Sequence, residues 1–286
     1  MIFLLLSILC STSIYLIFKL SEVYKANLKG IIIINYFVAT LTGFASGNFS
    51  VSHTQIIQAE WLPIAAIVGF LFVVMFYLIG LSSQKAGMSV TAIATRMSMI
   101  FPVFFSMFLF SETITPMKIL LVIVTLSAVF MAIYRKPKQQ NNTLFFILPF
   151  ILFVGSGSVD TLVKTAQHIY IPENETALFS SSLFGISLIL SPLLLLIGEK
   201  DKHLFSLKTL IGGVALGAVN FGSLYFIIEA LNKSNIDSSF VYGINNLAIV
   251  TITHTAGFFL FKEHLSRLNK TGLILSLICI LLLLSY

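Results

Sequence analysis

A chain of 286 residues that is 57% hydrophobic and only 10% charged, with a mean hydropathy of +1.00, is not an ordinary soluble domain, in which about a quarter of the residues carry charge. The composition predicts an integral membrane protein, so the net charge of +6 bears on orientation and lipid contact, and nucleic acid is excluded as a partner. The two cysteines, Cys10 and Cys279, both lie in apolar stretches, and no disulfide framework, metal site or cofactor motif is expected.

A bilayer core takes about 20 apolar residues per helix. From the N-terminus the chain divides at its polar clusters into ten such pieces: 2–20, 30–46, 62–82, 90–110, 116–134, 144–164, 175–197, 209–231, 238–261 and 268–285. The first has no basic lead and no small-residue cleavage site, and reads as a retained span, not a signal peptide. The breaks carry turn chemistry: Lys85-Ala86-Gly87, the polar run 135–142 around Pro137, Ile171-Pro172, and the runs 198–202 and 232–237. Runs this long and continuous exclude a transmembrane β-barrel. The polar run 135–142 bisects the chain, leaving five spans in 1–134 and five in 143–286.

The halves match. The stretch 101–117, FPVFFSMFLFSETITPM, returns in degraded form at 258–268 as FFLFKEHLSRL, placing Glu112 on Glu263 at an offset of 151. Ser11-x-Ser13 followed by Lys19 returns as Ser156-x-Ser158 followed by Lys164 at an offset of 145, and Tyr77 with Lys85 returns as Tyr225 with Lys233 at 148. One such pair arises readily by chance between helix ends rich in Phe and Leu; three nearly constant offsets argue for a duplication. Because five is odd, the halves insert in opposite senses. The expected fold is an all-α membrane protein with ten transmembrane helices as two inverted five-helix repeats.

The whole chain resembles the ten-helix, EamA-type members of the drug/metabolite transporter superfamily. The resemblance rests on GLSSQKAGMSVTAIATRMSMIFPVFFSMFLFSETITPMK at 80–118: small and polar residues, a helix with a mid-span Pro102, an apolar run, and Glu112 before the next helix. The second half departs from the pattern, with Asn245-Asn246 and no proline in the ninth helix, and the first helix has Cys10 to Ser13 where the family often has Trp-Gly. The resemblance implies a carrier of small molecules, commonly an exporter, with a central cavity lined by the first, third, fourth, sixth, eighth and ninth helices.

Orientation follows from the basic residues. The connections after the odd-numbered spans carry Lys19, Lys25, Lys29, Lys85, Arg135, Lys136, Lys138, Lys200, Lys202, Lys208, Lys262, Arg267 and Lys270; the other face has only Lys118, Lys164 and Lys233. This places the odd connections in the cytoplasm and both termini outside a bacterial inner membrane, a departure from the resembled family, whose termini are taken to lie inside.

Six residues are candidates for substrate binding. Arg96 lies about six residues inside the fourth span, roughly 9 Å deep at 1.5 Å per residue, where a guanidinium costs on the order of 2.5 to 3.5 kcal/mol unless it faces a partner or water. Snorkelling to the headgroups is the alternative. Its counterpart in the second half falls beside Asn245 and Asn246, and Tyr242 shares a face with Asn246; these line the same cavity or hold two helices together. Tyr225 adds a neutral hydroxyl. Asp160 either pairs with Lys164 at i, i+4, as Glu229 does with Lys233, or accepts a proton or a substrate amine. His254 reads as a neutral, satisfied imidazole or a proton relay, and Gly212, Gly213, Gly217 and Gly222 as close-packing positions.

Arg96 and Asp160 together suit a small polar metabolite with a carboxylate, such as an amino acid, moved by alternating access. With no phosphate-binding loop, a gradient is the expected energy source. The expected partners are that small molecule and the bilayer; a homodimer stays open. An intramembrane enzyme is the competing class, but there is no His-Glu-x-x-His or Gly-x-Ser-x-Gly and no base evident near Ser156 and Ser158. A receptor or scaffold would leave the duplication unexplained. The sequons at Asn48, Asn141, Asn174 and Asn269 are of a frequency expected by chance.

Overall fold

The computed structural model describes residues 2–46, 58–101, 116–134, 144–170, 176–197, 204–233 and 238–285. Among these residues there are ten α-helices and no strand. The helices are α1 (Ile2–Val23), α2 (Leu28–Ser46), α3 (Leu62–Lys85), α4 (Met88–Met97), α5 (Pro116–Ile133), α6 (Leu144–Ile169), α7 (Thr176–Leu190), α8 (Leu207–Lys233), α9 (Ser238–Phe261) and α10 (Arg267–Ser285). Six of them, α1, α2, α3, α8, α9 and α7 with its extension to Leu196, contain windows long and apolar enough to cross a membrane, and α6 contributes the shorter apolar stretch Ile147–Val163. The chain is an all-helical, multi-pass membrane protein.

Two of the ten pieces differ from continuous spans. The fourth is interrupted: α4 stops at Met97, a turn occupies Ser98 and Met99, and helix resumes at Ile100. The cause is in the sequence. Pro102, itself outside the described residues, has no N–H to offer the Ser98 carbonyl four residues earlier. That carbonyl accepts from Phe101 N at 2.9 Å instead, while Met99 N reaches back to the Arg96 carbonyl at 3.5 Å. The seventh tightens into a 3-10 turn, Ser191–Leu196, with Pro192 at its start.

The helices pack in matched pairs. α2 lies on α8 as α7 lies on α3; α1 lies on α8 as α6 lies on α3; α1 meets α9 as α6 meets α4. Likewise α3–α4 and α4–α5 are answered by α8–α9 and α9–α10, while α2–α7, α4–α9 and α5–α10 each join a helix to the one five places along. Advancing every helix by five leaves this set unchanged; α1–α3, α2–α3 and α1–α4 are the exceptions. The α2–α8 seam shows how closely the backbones approach. A Cβ on Gly213 would sit 2.5 Å from Ile34 Cβ, and one on Gly217 would sit 2.6 Å from Val38 Cβ. Beside them a buried amide pair, Asn220 Nδ2 to Asn35 Oδ1 at 3.0 Å, crosses the same seam.

The odd-numbered connections meet at one end of the bundle. Lys19, ending α1, donates to the Gln84 carbonyl near the end of α3 at 3.0 Å, and the buried Lys29, opening α2, donates to the Ile197 carbonyl after α7. Glu263, between α9 and α10, bonds to Met88 at the start of α4, and Asn269, opening α10, donates to the Tyr134 carbonyl at the end of α5. At the other end, Trp61 before α3 packs edge-on against Phe179 at the start of α7, and Lys233 at the end of α8 lies over the Phe3 ring of α1. Successive helices therefore run up and down, and among the described residues Lys19, Lys25, Lys29, Lys85, Lys208, Lys262, Arg267 and Lys270 lie at the end where the odd-numbered connections meet.

Candidate functional site

The interruption of α4 puts a polar group of residues where four helices, α1, α4, α6 and α9, come together. Arg96 occupies the last turn of α4, half-buried. Its Nε donates to Tyr15 Oη on α1 at 3.2 Å, and its Cζ stands 5.9 Å from the centre of the Tyr15 ring. Tyr15 is almost fully buried, and its hydroxyl lies 2.6 Å from Thr95 Oγ1. Across the turn, Ser98 Oγ lies 2.6 Å from the Thr95 carbonyl and 3.3 Å from Asp160 Oδ2 on α6, so its single proton serves one or the other. Asp160 lies within electrostatic reach of Arg96. Asp160 keeps more than a third of its surface accessible, so it is not packed into the core.

Arg96 and Asp160 are thus brought together. Asn246, on α9, joins the same turn through Nδ2 to Met99 Sδ at 3.3 Å, a weak acceptor for an amide. Asn245 is buried, and its Oδ1 has no hydrogen-bond partner among the described residues. The hydroxyl of Thr12, one turn before Tyr15 on α1, is also buried without one. An unmet buried polar group costs about 1 to 3 kcal/mol. Five further buried polar atoms among the described residues, Asn35 Nδ2, Tyr36 Oη, Ser83 Oγ, Ser182 Oγ and Thr253 Oγ1, are also without a hydrogen-bond partner.

Other candidates fall elsewhere. Tyr225 is on an exposed face of α8, stacked on Phe221 at 5.8 Å and edge-on to Phe226 at 5.5 Å, and no described contact joins it to Arg96. The Tyr242 and Lys164 side chains lie outside the described ones, as does Glu112. The Glu229–Lys233 pair forms at 2.5 Å at the end of α8, and the Glu229 hydrogen bond holds the Lys233 ammonium above its usual range. Ser158 Oγ donates to its own helix at the Val154 carbonyl, 3.0 Å, just as Ser13 Oγ does to the Leu9 carbonyl at 2.8 Å. The two serines are 145 residues apart, the offset read from sequence. Asn269 is buried, and its Nδ2 lies within hydrogen-bond distance of the carbonyls of Met131, Ala132 and Tyr134, so that sequon is closed to modification in the folded chain.

Sequence reasoning missed Tyr15, Thr95, Ser98 and the role of Glu263. Tyr15 had a signal: the offset that sets Ser11 on Ser156 sets Tyr15 on Asp160. Glu263 caps the other end of α4. Oε1 accepts from Met88 N at 2.8 Å, and Oε2 accepts from Ser89 N at 3.0 Å and Ser89 Oγ at 2.7 Å. His254 Nδ1 lies 3.4 Å from Ser89 Oγ. Since that hydroxyl spends its proton on Glu263, the imidazole is the donor, with its proton on Nδ1. Gly87, at φ +100°, and Gly257 give the carboxylate room: a Cβ on either would meet a Glu263 oxygen at 2.8 Å.

The fold and these interior charges define a helical multi-pass membrane protein with a polar centre. No family model matches the chain. It is similar to an uncharacterized protein of Haemophilus influenzae, with 27% identity over 282 residues covering 96% of this chain and 94% of that one. A crystal structure described only as that of a protein aligns with 98% of this chain and 94% of its own, with a TM-score of 0.60 and 11% identity, which shows a shared fold.

Proposed function

We propose that the protein is a secondary transporter, of the exporter type, for a small polar metabolite such as an amino acid, and that it works by alternating access. The observation that carries this reading is the convergence of Arg96 and Asp160 at the interruption of α4, where α1, α4, α6 and α9 come together. Discontinuous helices that place charged and backbone groups at a midplane site are a recurring device of secondary carriers. Arg96 offers a carboxylate its fork of donors, Asp160 faces the amine, and the unsatisfied Oδ1 of Asn245 with the poorly satisfied Asn246 amide supplies neutral hydrogen bonds.

The architecture supports the same reading. Packing pairs that survive a shift of five helices, with all odd connections at one end, are what two inverted five-helix repeats and ten crossings require. In this arrangement 1–134 and 143–286 are the two EamA-like repeats. The basic end faces the cytoplasm of a bacterial inner membrane and both termini face outward.

The test is uptake and counterflow of a labelled metabolite panel in proteoliposomes without ATP. At least one amino acid or related carboxylate is expected to be carried by the wild type. Arg96→Gln should lower that transport by about tenfold to a hundredfold, as expected for loss of a charge-assisted bidentate contact, with Arg96→Lys in between. No uptake of any panel member, or uptake only with ATP hydrolysis, would overturn the reading.

A further inference from the structure

The hydrogen bonds around Arg96 have only one consistent direction. An Nε–H can only donate, so the Tyr15 hydroxyl accepts from it at 3.2 Å and gives its own proton to Thr95 Oγ1 at 2.6 Å. The Thr95 hydroxyl in turn donates to the Thr91 carbonyl at 2.9 Å, one turn back along α4. The relay begins at the side edge of the guanidinium and ends on the backbone of the helix that carries it. Among the described residues, no acceptor is bonded to the two terminal amino nitrogens of Arg96.

A guanidinium has two edges that can take a planar oxyanion, one of them using Nε and the other using only the terminal nitrogens. We infer that Tyr15 is the positioning residue of this site: by occupying the Nε edge it leaves the terminal edge as the one offered to substrate, and that edge takes a carboxylate end-on. This rests on the reading of the α4 interruption as a substrate site and adds to it which edge binds and what aims it. The ring of Tyr15 limits the cation's sideways movement, while the hydroxyl fixes its rotation. Tyr15→Phe separates the two, keeping the ring and deleting the hydroxyl.

The chain has three arginines, Arg96, Arg135 and Arg267, so arginine-selective 15N labelling in nanodiscs yields three Nε–H signals, assignable with Arg96→Lys. In the wild type the Arg96 Nε–H is expected to exchange slowly with water. In Tyr15→Phe that signal alone should move and exchange fast. Acetate and glycine should shift the wild-type Arg96 signals and methylammonium should not, and Tyr15→Phe should need roughly tenfold more acetate for the same shift, the loss of one hydrogen bond to a charged group. Thr95→Val, which removes the acceptor for the Tyr15 proton, should act in the same direction if Tyr15→Phe fails to fold.

An unmoved Nε–H in both variants, or acetate midpoints equal to wild type, overturns the assignment to Tyr15. A moved Nε–H with no acetate response in any form overturns the end-on carboxylate edge and removes Arg96 from the substrate site. Normal acetate binding with no transport of any panel member leaves the Tyr15 assignment standing and sinks the carrier reading alone.

Discussion

The two ends of α4, a helix of only ten residues, are built in opposite ways. At the start, one carboxylate meets Met88 N, Ser89 N and Ser89 Oγ, two glycines make room for it, and His254 completes the set. At the finish, Asp160 keeps an accessible surface, Asn246 settles for a thioether, and among the described residues the terminal edge of Arg96 and Asn245 Oδ1 have no hydrogen-bond partner. The first arrangement spends all its polarity on the protein and holds α4 to the α9–α10 connection. The second holds polarity in reserve. A helix rigid at one end and under-satisfied at the other presents a charge from a fixed base, as a binding site requires.

Substitutions at the two ends should therefore separate stability from transport. The largest stability effect is expected for Glu263→Ala, which strands two backbone N–H groups and a serine hydroxyl. Losses of about 1 to 3 kcal/mol per unmet group predict a clear fall in the thermal unfolding midpoint in detergent and poor yield, with Glu263→Gln milder because its carbonyl oxygen still accepts. Gly87→Ala comes next, at about 1 to 3 kcal/mol, since it adds a strained positive φ to a collision with the same carboxylate. Smallest is Asn245→Leu. It deletes a buried acceptor that has no partner among the described residues, so the unfolding midpoint should be unchanged or slightly raised. If the amide serves the substrate, transport should fall in the same variant. A strong destabilisation by Asn245→Leu would show that the amide is structural and would erase the contrast between the two ends.

Much of this fold was legible in the sequence because the bilayer demands long apolar helices, and all ten pieces contain a helix. The offset of 145 reappears in the matched back-bonding of Ser13 and Ser158. Arg96 and Asp160 stood out because charges are costly in apolar spans. What the sequence hid was pairing over distance. Glu263 was visible only as part of a repeated Phe-x-Glu, since its partners lie 175 and 174 residues away. Tyr15 is one aromatic among many, and nothing local marks its hydroxyl as the partner of Arg96. The interruption at Ser98 was foreshadowed by Pro102, but where the freed carbonyl would turn depends on Phe101 and not on the proline.

The most direct measurement of the central claim, that the α4 interruption is a substrate site reached alternately from both faces, is two-sided thiol labelling. Cys10 and Cys279 would be replaced by serine and a single cysteine placed as Ser98→Cys, beside Asp160. Right-side-out and inside-out vesicles would then be treated with a membrane-impermeant maleimide. The account predicts labelling from both faces, slowed from each by a saturating carried metabolite. Labelling from neither face, or from one face only and indifferent to every carried metabolite, would contradict it.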